Sequence, residues 1–141
     1  MTNVGMTWIV RIANGDTVVQ NGKDMAVFGA ARYFNPYDGL YFQSNLGNGK
    51  YQYANGLNVA FTGTKGNGIF AAAGGDVYEN GTDVGNLNNT GNPNLPIYLG
   101  CLRFGTSNIQ FYTGDIVAIA FYSTVLTPTQ IANLTTAINA L

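Results

Sequence analysis

The stretch GDIVAIAFYSTVLTPTQIANL, from Gly114 to Leu134, carries a single charge, Asp115, and runs from Ile116 to Tyr122 without a break in its apolar character. Successive side chains of a strand point to opposite faces, so a strand at a protein surface alternates apolar with polar residues. A strand that does not alternate is covered on both faces. A strict period of two sets Val117, Ile119 and Phe121 on one face and Ile116, Ala118 and Ala120 on the other, and a single sandwich core covers only one of these sets.

The remainder of the stretch supplies one candidate for the second cover. Thr127 suits a helix N-cap, Pro128 the first helical position, and Gln130 completes a capping box; Ile131, Leu134, Ile138 and Leu141 then fall on one face. The small Ala118 and Ala120 would let such a helix approach closely. A neighbouring subunit is the other cover compatible with the sequence.

Working outward, short runs with period-two patterning recur along the chain. TWIVRI places Trp8, Val10 and Ile12 on one side, and LNVAFT does the same with Leu57, Val59 and Phe61. Turn signals separate these runs: NGD at Asn14, NGK at Asn21, NPYDG at Asn35, GNGK at Gly47 and ENGTD at Glu79. Asn-Gly pairs tolerate the positive φ values of tight hairpins. The run NLNNTGNPNLP, from Asn86 to Pro96, has no strand pattern and reads as a loop. The fold class that follows is all-β, an antiparallel β-sandwich of jelly-roll type closed by a short C-terminal α-helix.

With 141 residues and no linker, the chain is expected to form one domain over 1–141. Charged residues make up 9% of it, against roughly 25% in a typical soluble domain. Solubility must therefore come from amide and hydroxyl groups. A net charge of -1 with six scattered Lys and Arg argues against nucleic acid and against a polybasic membrane contact. No apolar run reaches the roughly 18 to 20 residues of a membrane-spanning helix, and the start lacks a signal-peptide pattern. Cys101 is the one cysteine and reads as a small core residue.

The absence of His removes imidazole metal sites and the Ser-His and Cys-His nucleophile systems. Glu79 is the single glutamate, beside the Asn80-Gly81 turn, whereas glycoside cleavage needs two positioned carboxyls. No enzyme activity and no cofactor are expected. Calcium is the one metal with any footing, through Asp76, Asp83 and Asp115, yet none of these has the spacing of a dedicated loop. For a sugar ligand the chain offers aromatics to stack on a ring and amides to bond hydroxyls: Tyr33, Tyr37, Tyr41, Tyr51 and Tyr53 with Asn35, Asn45, Asn48 and Asn55. Tyr41, Tyr51, Tyr53 and Asn55 are the candidate carbohydrate-binding residues. The same tyrosines also suit plain sheet packing, since Tyr favours strands.

The order VYENGTDVG, LPIYLGCLRFG and GDIVAIAFYSTVLTPTQI resembles the closing half of laminin-G-like, concanavalin-A-like jelly-roll domains. Their last strand and helix follow a pattern met here by Gly114, Ile116, Ile119, Phe121, Tyr122, Leu126, Thr127, Gln130 and Ile131. The resemblance runs from Val77 to Leu134, and TWIVRI resembles an early strand of the family. Further N-terminal strands usual in the family are missing, which implies a trimmed chain or an edge supplied by another subunit. The E-x-D-x-E strand of related glucanases has no counterpart.

Such domains serve as sugar-binding, adhesion or, in bacteriophages, virion components. The low-charge, Asn/Gly-rich style is similar to the phage versions. The resemblance thus implies a virion decoration or tail component, assembled in the host cytoplasm and contacting other virion or same-chain subunits. The alternative is an extracellular, lectin-like carbohydrate-binding module that contacts surface glycans.

Overall fold

The computed structural model describes residues 6–15, 25–34, 37–45, 50–55, 58–60, 67–86 and 96–141, with side chains placed at 6–15, 25–31, 40–43, 67–86 and 96–141. The described strands are β1 (Thr7–Ala13), β2 (Ala26–Phe34), β3 (Tyr37–Asn45), β4 (Lys50–Asn55), β5 (Asn58–Ala60), β6 (Gly68–Ala73), β7 (Asp76–Glu79), β8 (Thr82–Asn86), β9 (Tyr98–Leu99), β10 (Leu102–Phe104), β11 (Ser107–Ile109) and β12 (Asp115–Tyr122). The helix α1 (Pro128–Asn139) follows. One sheet has the order β12-β1-β6-β7-β8; the other has the order β11-β10-β2-β3-β4-β5, with β9 also on β2.

The two sheets form a β-sandwich around an aromatic centre. Trp8, Val10 and Ile12 of β1, Phe70 of β6 and Val77 of β7 meet Phe28 of β2 and Leu40 and Phe42 of β3. The Trp8 ring lies 5.0 Å from Phe28 in an edge contact and 5.3 Å from Phe42, while Phe42 reaches Phe70 at 5.0 Å. Offset and edge geometries of this kind add about 0.5 to 1.5 kcal/mol per pair beyond area burial. The alternation expected of TWIVRI is met, and Cys101 is buried as expected. Leu57 and Phe61 of LNVAFT, and residues 87–95 of the expected loop, lie outside the described residues.

The hairpin between β7 and β8 turns at Asn80 and Gly81, with φ values of 50° and 82°, the backbone that an Asn-Gly pair supports. The Asn80 side-chain oxygen also accepts the Ile69 backbone N–H at 3.0 Å, tying the turn to β6.

One pairing departs from the all-antiparallel expectation. β9 runs antiparallel to β2, placing Leu99 opposite Phe28, but β10 runs parallel to it, placing Arg103 opposite Ala30. The chain reverses between them at Gly100, whose φ of 72° is open to glycine and strained for other residues. Both short strands thereby share one edge of β2.

The opening stretch is covered on both faces, with one change of register. Thr7 to Arg11 pair with Tyr122 to Ala118, after which Ile12 pairs with Ile116 and Val117 is left over. This β-bulge resets the alternation. Ile116 therefore joins Ile119 and Phe121 on the main core, and Val117, expected inside, is 41% exposed. Ala118, Ala120 and Tyr122 occupy the opposite face together with Ile9, Ile69, Ala71, Ala73 and Tyr78.

Helix α1 covers that second face. The capping box is formed as expected, with Thr127 as N-cap, Pro128 in the first turn and Gln130 at the third position. Ile131 and Ile138 are buried against the sheet and Leu134 packs beside them. Leu141, expected on the same stripe, lies past the end of the helix and is exposed.

Two polar anchors hold the cover in place. The Thr7 hydroxyl donates to the Thr124 carbonyl and accepts the Leu126 N–H, each at 2.9 Å, which pins the strand-to-helix connection. Arg11 Nη1 donates to the Ile138 carbonyl at 3.0 Å, placing a cation at the negative end of the helix.

An intramolecular cover has a measurable signature. Ala120 sits opposite Ile9 beneath the helix, and Ala120→Glu should cost about 1 to 3 kcal/mol. The loss should be equal at low and high protein concentration in chemical denaturation. A variant as stable as its parent, or one destabilised only on dilution, would mean that the helix is not the cover.

Candidate functional site

Of the four residues expected to bind sugar, Tyr41 is a packing residue. It is 3% exposed and belongs to a small cluster with Ala26, Ala31 and Leu102, flanked by Phe104 and Ile109. Its partner across the ladder is Gly29, where an added Cβ would come within 2.4 Å of the Tyr41 Cβ. The missing side chain at Gly29 makes room for Tyr41. This corrects the expectation, because a ring enclosed in that way has no face to stack on a pyranose.

Tyr51, Tyr53 and Asn55 lie on β4, opposite Ser44, Phe42 and Leu40, and their side chains are outside the described set. Tyr41 pairs with Ala54, so position 41 belongs to the opposite face from positions 51, 53 and 55. The register thus separates Tyr41 from the other three. The side chains of Tyr33, Tyr37, Asn35, Asn45, Asn48 and the other loop amides are likewise outside the described set.

The three aspartates considered for calcium are each engaged locally. Asp76 accepts from the Asn86 amide, Asp83 from the Gly85 N–H at 3.0 Å, and Asp115 from the Asn14 amide at 2.7 Å. Among the described residues, no three of His, Cys, Asp and Glu gather around a common point. Tyr78 lies beneath the helix. Burial first, and the nearby charges of Asp76 and Asp83 second, push its phenol pKa above the usual value.

A different set of residues comes together along the edge of β2. Phe111 bridges to Ala26, the Gly100 N–H donates to Val27 at 2.8 Å, Leu99 faces Phe28, Tyr98 faces Gly29 and Arg103 faces Ala30. Five consecutive residues of one strand are therefore lined by the segment 98–111, over about 13 Å at the usual strand rise. The segment is closed on itself by a bond from the Tyr112 N–H to the Gly100 carbonyl at 2.9 Å.

This strip combines exposed apolar side chains with a positioned cation and an amide. Phe111 is 62% exposed and Leu99 55%, the largest exposures of any aromatic and strand leucine described. Arg103 lies over the ring of Tyr98, 5.5 Å from its centroid, and its Nη1 donates to Asn108 at 3.0 Å. A cation–π contact of this kind contributes about 0.5 to 1 kcal/mol at a partly exposed site. Gln110, next to Phe111, has a φ of 55° and an enclosed Oε1 with no hydrogen-bond partner. Side chains in the left-handed region and unpaired amides are costly, and functional surfaces are where such costs are commonly retained.

Sequence reasoning missed this strip because it is built by pairing distant segments. Tyr98, Leu99, Arg103 and Phe111 form no local motif, and only their alignment on β2 brings them into line.

No protein-family model matches the chain, and no curated protein matches it in sequence. Solved structures of NanB sialidase do match in fold. The chain aligns with NanB in complex with 2-[(3-chlorobenzyl)ammonio]ethanesulfonate, from Streptococcus pneumoniae, at 13% identity and a TM-score of 0.61. That alignment covers 92% of this chain and 23% of the sialidase. A point mutant of the same sialidase aligns at 12% identity with a TM-score of 0.61, covering 91% and 23%, and NanB with Optactamide gives 13%, 0.61, 92% and 23%. The likeness at this identity is one of fold. The chain spans under a quarter of the sialidase chains it matches.

Proposed function

We propose that the chain is a lectin-like module that binds carbohydrate without catalysis, through the strip along β2. The observation that carries this reading is that exposed Phe111 and Leu99 and the Tyr98–Arg103–Asn108 group all belong to the segment paired along one side of β2. Apolar faces with a few fixed polar groups are the usual composition of a ligand site. A β-sandwich of the laminin-G-like kind, as the C-terminal motif implies, supports it, as does a fold shared with part of a sialidase. The lack of His and the single Glu79 support a role in binding and not in turnover.

The virion role draws on composition and style, and the solved structures named above are sialidases, so the lectin-like reading takes precedence. An extracellular setting and surface glycans as partners belong to the same proposal.

A glycan array read with the purified protein, followed by calorimetry on the strongest hit, tests it. Phe111→Ala and Leu99→Ala should each weaken binding about tenfold or more with the melting temperature unchanged, because both side chains stand at the surface. Loss of binding in Tyr51→Ala or Tyr53→Ala, with Phe111→Ala unaffected, would move the site to β4. Binding to no glycan would overturn the reading.

A further inference from the structure

We infer that the strip selects glycans bearing a carboxylate, held by the guanidinium of Arg103; this rests on the carbohydrate-binding reading and names the ligand class within it. Arg103 is a fixed cation with most of its hydrogen-bonding capacity unspent. A guanidinium has five N–H donors, and here one, on Nη1, is committed to Asn108. The Nε and Nη2 edge keeps two parallel donors, the fork that matches the two oxygens of a carboxylate.

The surroundings hold that fork ready. The Tyr98 ring, 5.5 Å from the guanidinium carbon, and the bond to Asn108 both restrict the side chain, so less of its freedom remains to be lost on binding. Among the described residues, Arg103 has no ion-pair partner. The four described carboxylates, Asp76, Glu79, Asp83 and Asp115, all belong to the other sheet, on β7, β8 and β12. The other described cation, Arg11, is committed to the end of the helix. Among the described side chains, Arg103 is the cation that is positioned and carries no compensating carboxylate.

Its neighbours say what else the ligand carries. Leu99 and Phe111 pair with the same side of β2, opposite Phe28 and Ala26, so a ligand larger than a simple anion that is anchored at Arg103 lies within a strand's length of two exposed apolar side chains. A free inorganic anion would use the first feature and ignore the second. A sugar acid uses both.

The test is an array in which each acidic glycan is printed beside its methyl ester, with sulfated neutral glycans as a third set, followed by calorimetry. The acid form should bind at least tenfold more tightly than its ester, and raising the salt should narrow the gap, because the pair is partly exposed. In Arg103→Gln the preference should vanish while the weaker affinity for the ester remains, with the melting temperature unchanged. Equal binding of acid and ester, a preference retained in Arg103→Gln, or a sulfated set bound as tightly as the carboxylates would overturn the inference. Each of these outcomes leaves carbohydrate binding intact. Absence of binding to every set, esters included, is instead a failure of the underlying reading.

Discussion

Ile131→Asp is expected to lose about 3 to 5 kcal/mol of stability or to fail to fold, because it places an unpaired charge where no water reaches. Ile131 is 0% exposed and sits against Ile9, Ala71, Ala73 and Tyr78, a surface that offers no cation to the new carboxylate. Arg11 is held at the far end of the helix, where it donates to the Ile138 carbonyl. Urea denaturation followed by circular dichroism reads the loss. Leu141→Asp is the internal control: it lies beyond the helix and is exposed, so its effect should stay within about 0.5 kcal/mol. If both variants melt alike, the helix does not dock through Ile131.

Trp8→Ala should cost a comparable amount, about 3 to 5 kcal/mol, by a different route. The indole touches aromatic rings from the opposing sheet at 5.0 and 5.3 Å, and removing it leaves a void that two rigid sheets close only in part. Phe28 keeps its contact with Phe121 at 5.4 Å, so the sheets should remain joined but loosened. Near-ultraviolet circular dichroism, together with the steepness of the denaturation curve, measures this. A cost below about 1 kcal/mol would place Trp8 outside the packed centre.

The sequence disclosed the architecture where local signals and packing agree. The alternation of TWIVRI, the Asn80-Gly81 turn and the capping box at Thr127 each carry a short-range physical cause, and each is present. Ile116 and Val117 exchanged faces because a bulge is an event of pairing: nothing in IVAIAF distinguishes the residue that the partner strand will skip. The parallel run of β10 on β2 was hidden for the same reason.

The candidate site was less legible than the fold. Tyr41 has the composition of a sugar-binding residue, but its exposure was decided by Gly29, a residue on another strand whose lack of a Cβ lets the ring settle inward. Arg103 lies in a run, LGCLRFG, that reads only as strand. Its chemistry appears once Tyr98 and Asn108, from the adjoining strands, close around it.

The skipped residue in β12 also bears on how a chain with so few charges limits pairing at the border of its sheet. β12 forms one border of its sheet among the described residues, and its apolar run from Ile116 to Tyr122 is a template on which a second molecule could zip. Proteins commonly guard such borders with lysine, and this strand has none. At Val117 the spacing of outward-pointing N–H and C=O groups is broken, so an incoming strand matched to Ala118–Tyr122 would fall out of step at Ile116. The irregularity would work against fibrous stacking by geometry, where other proteins use electrostatic repulsion.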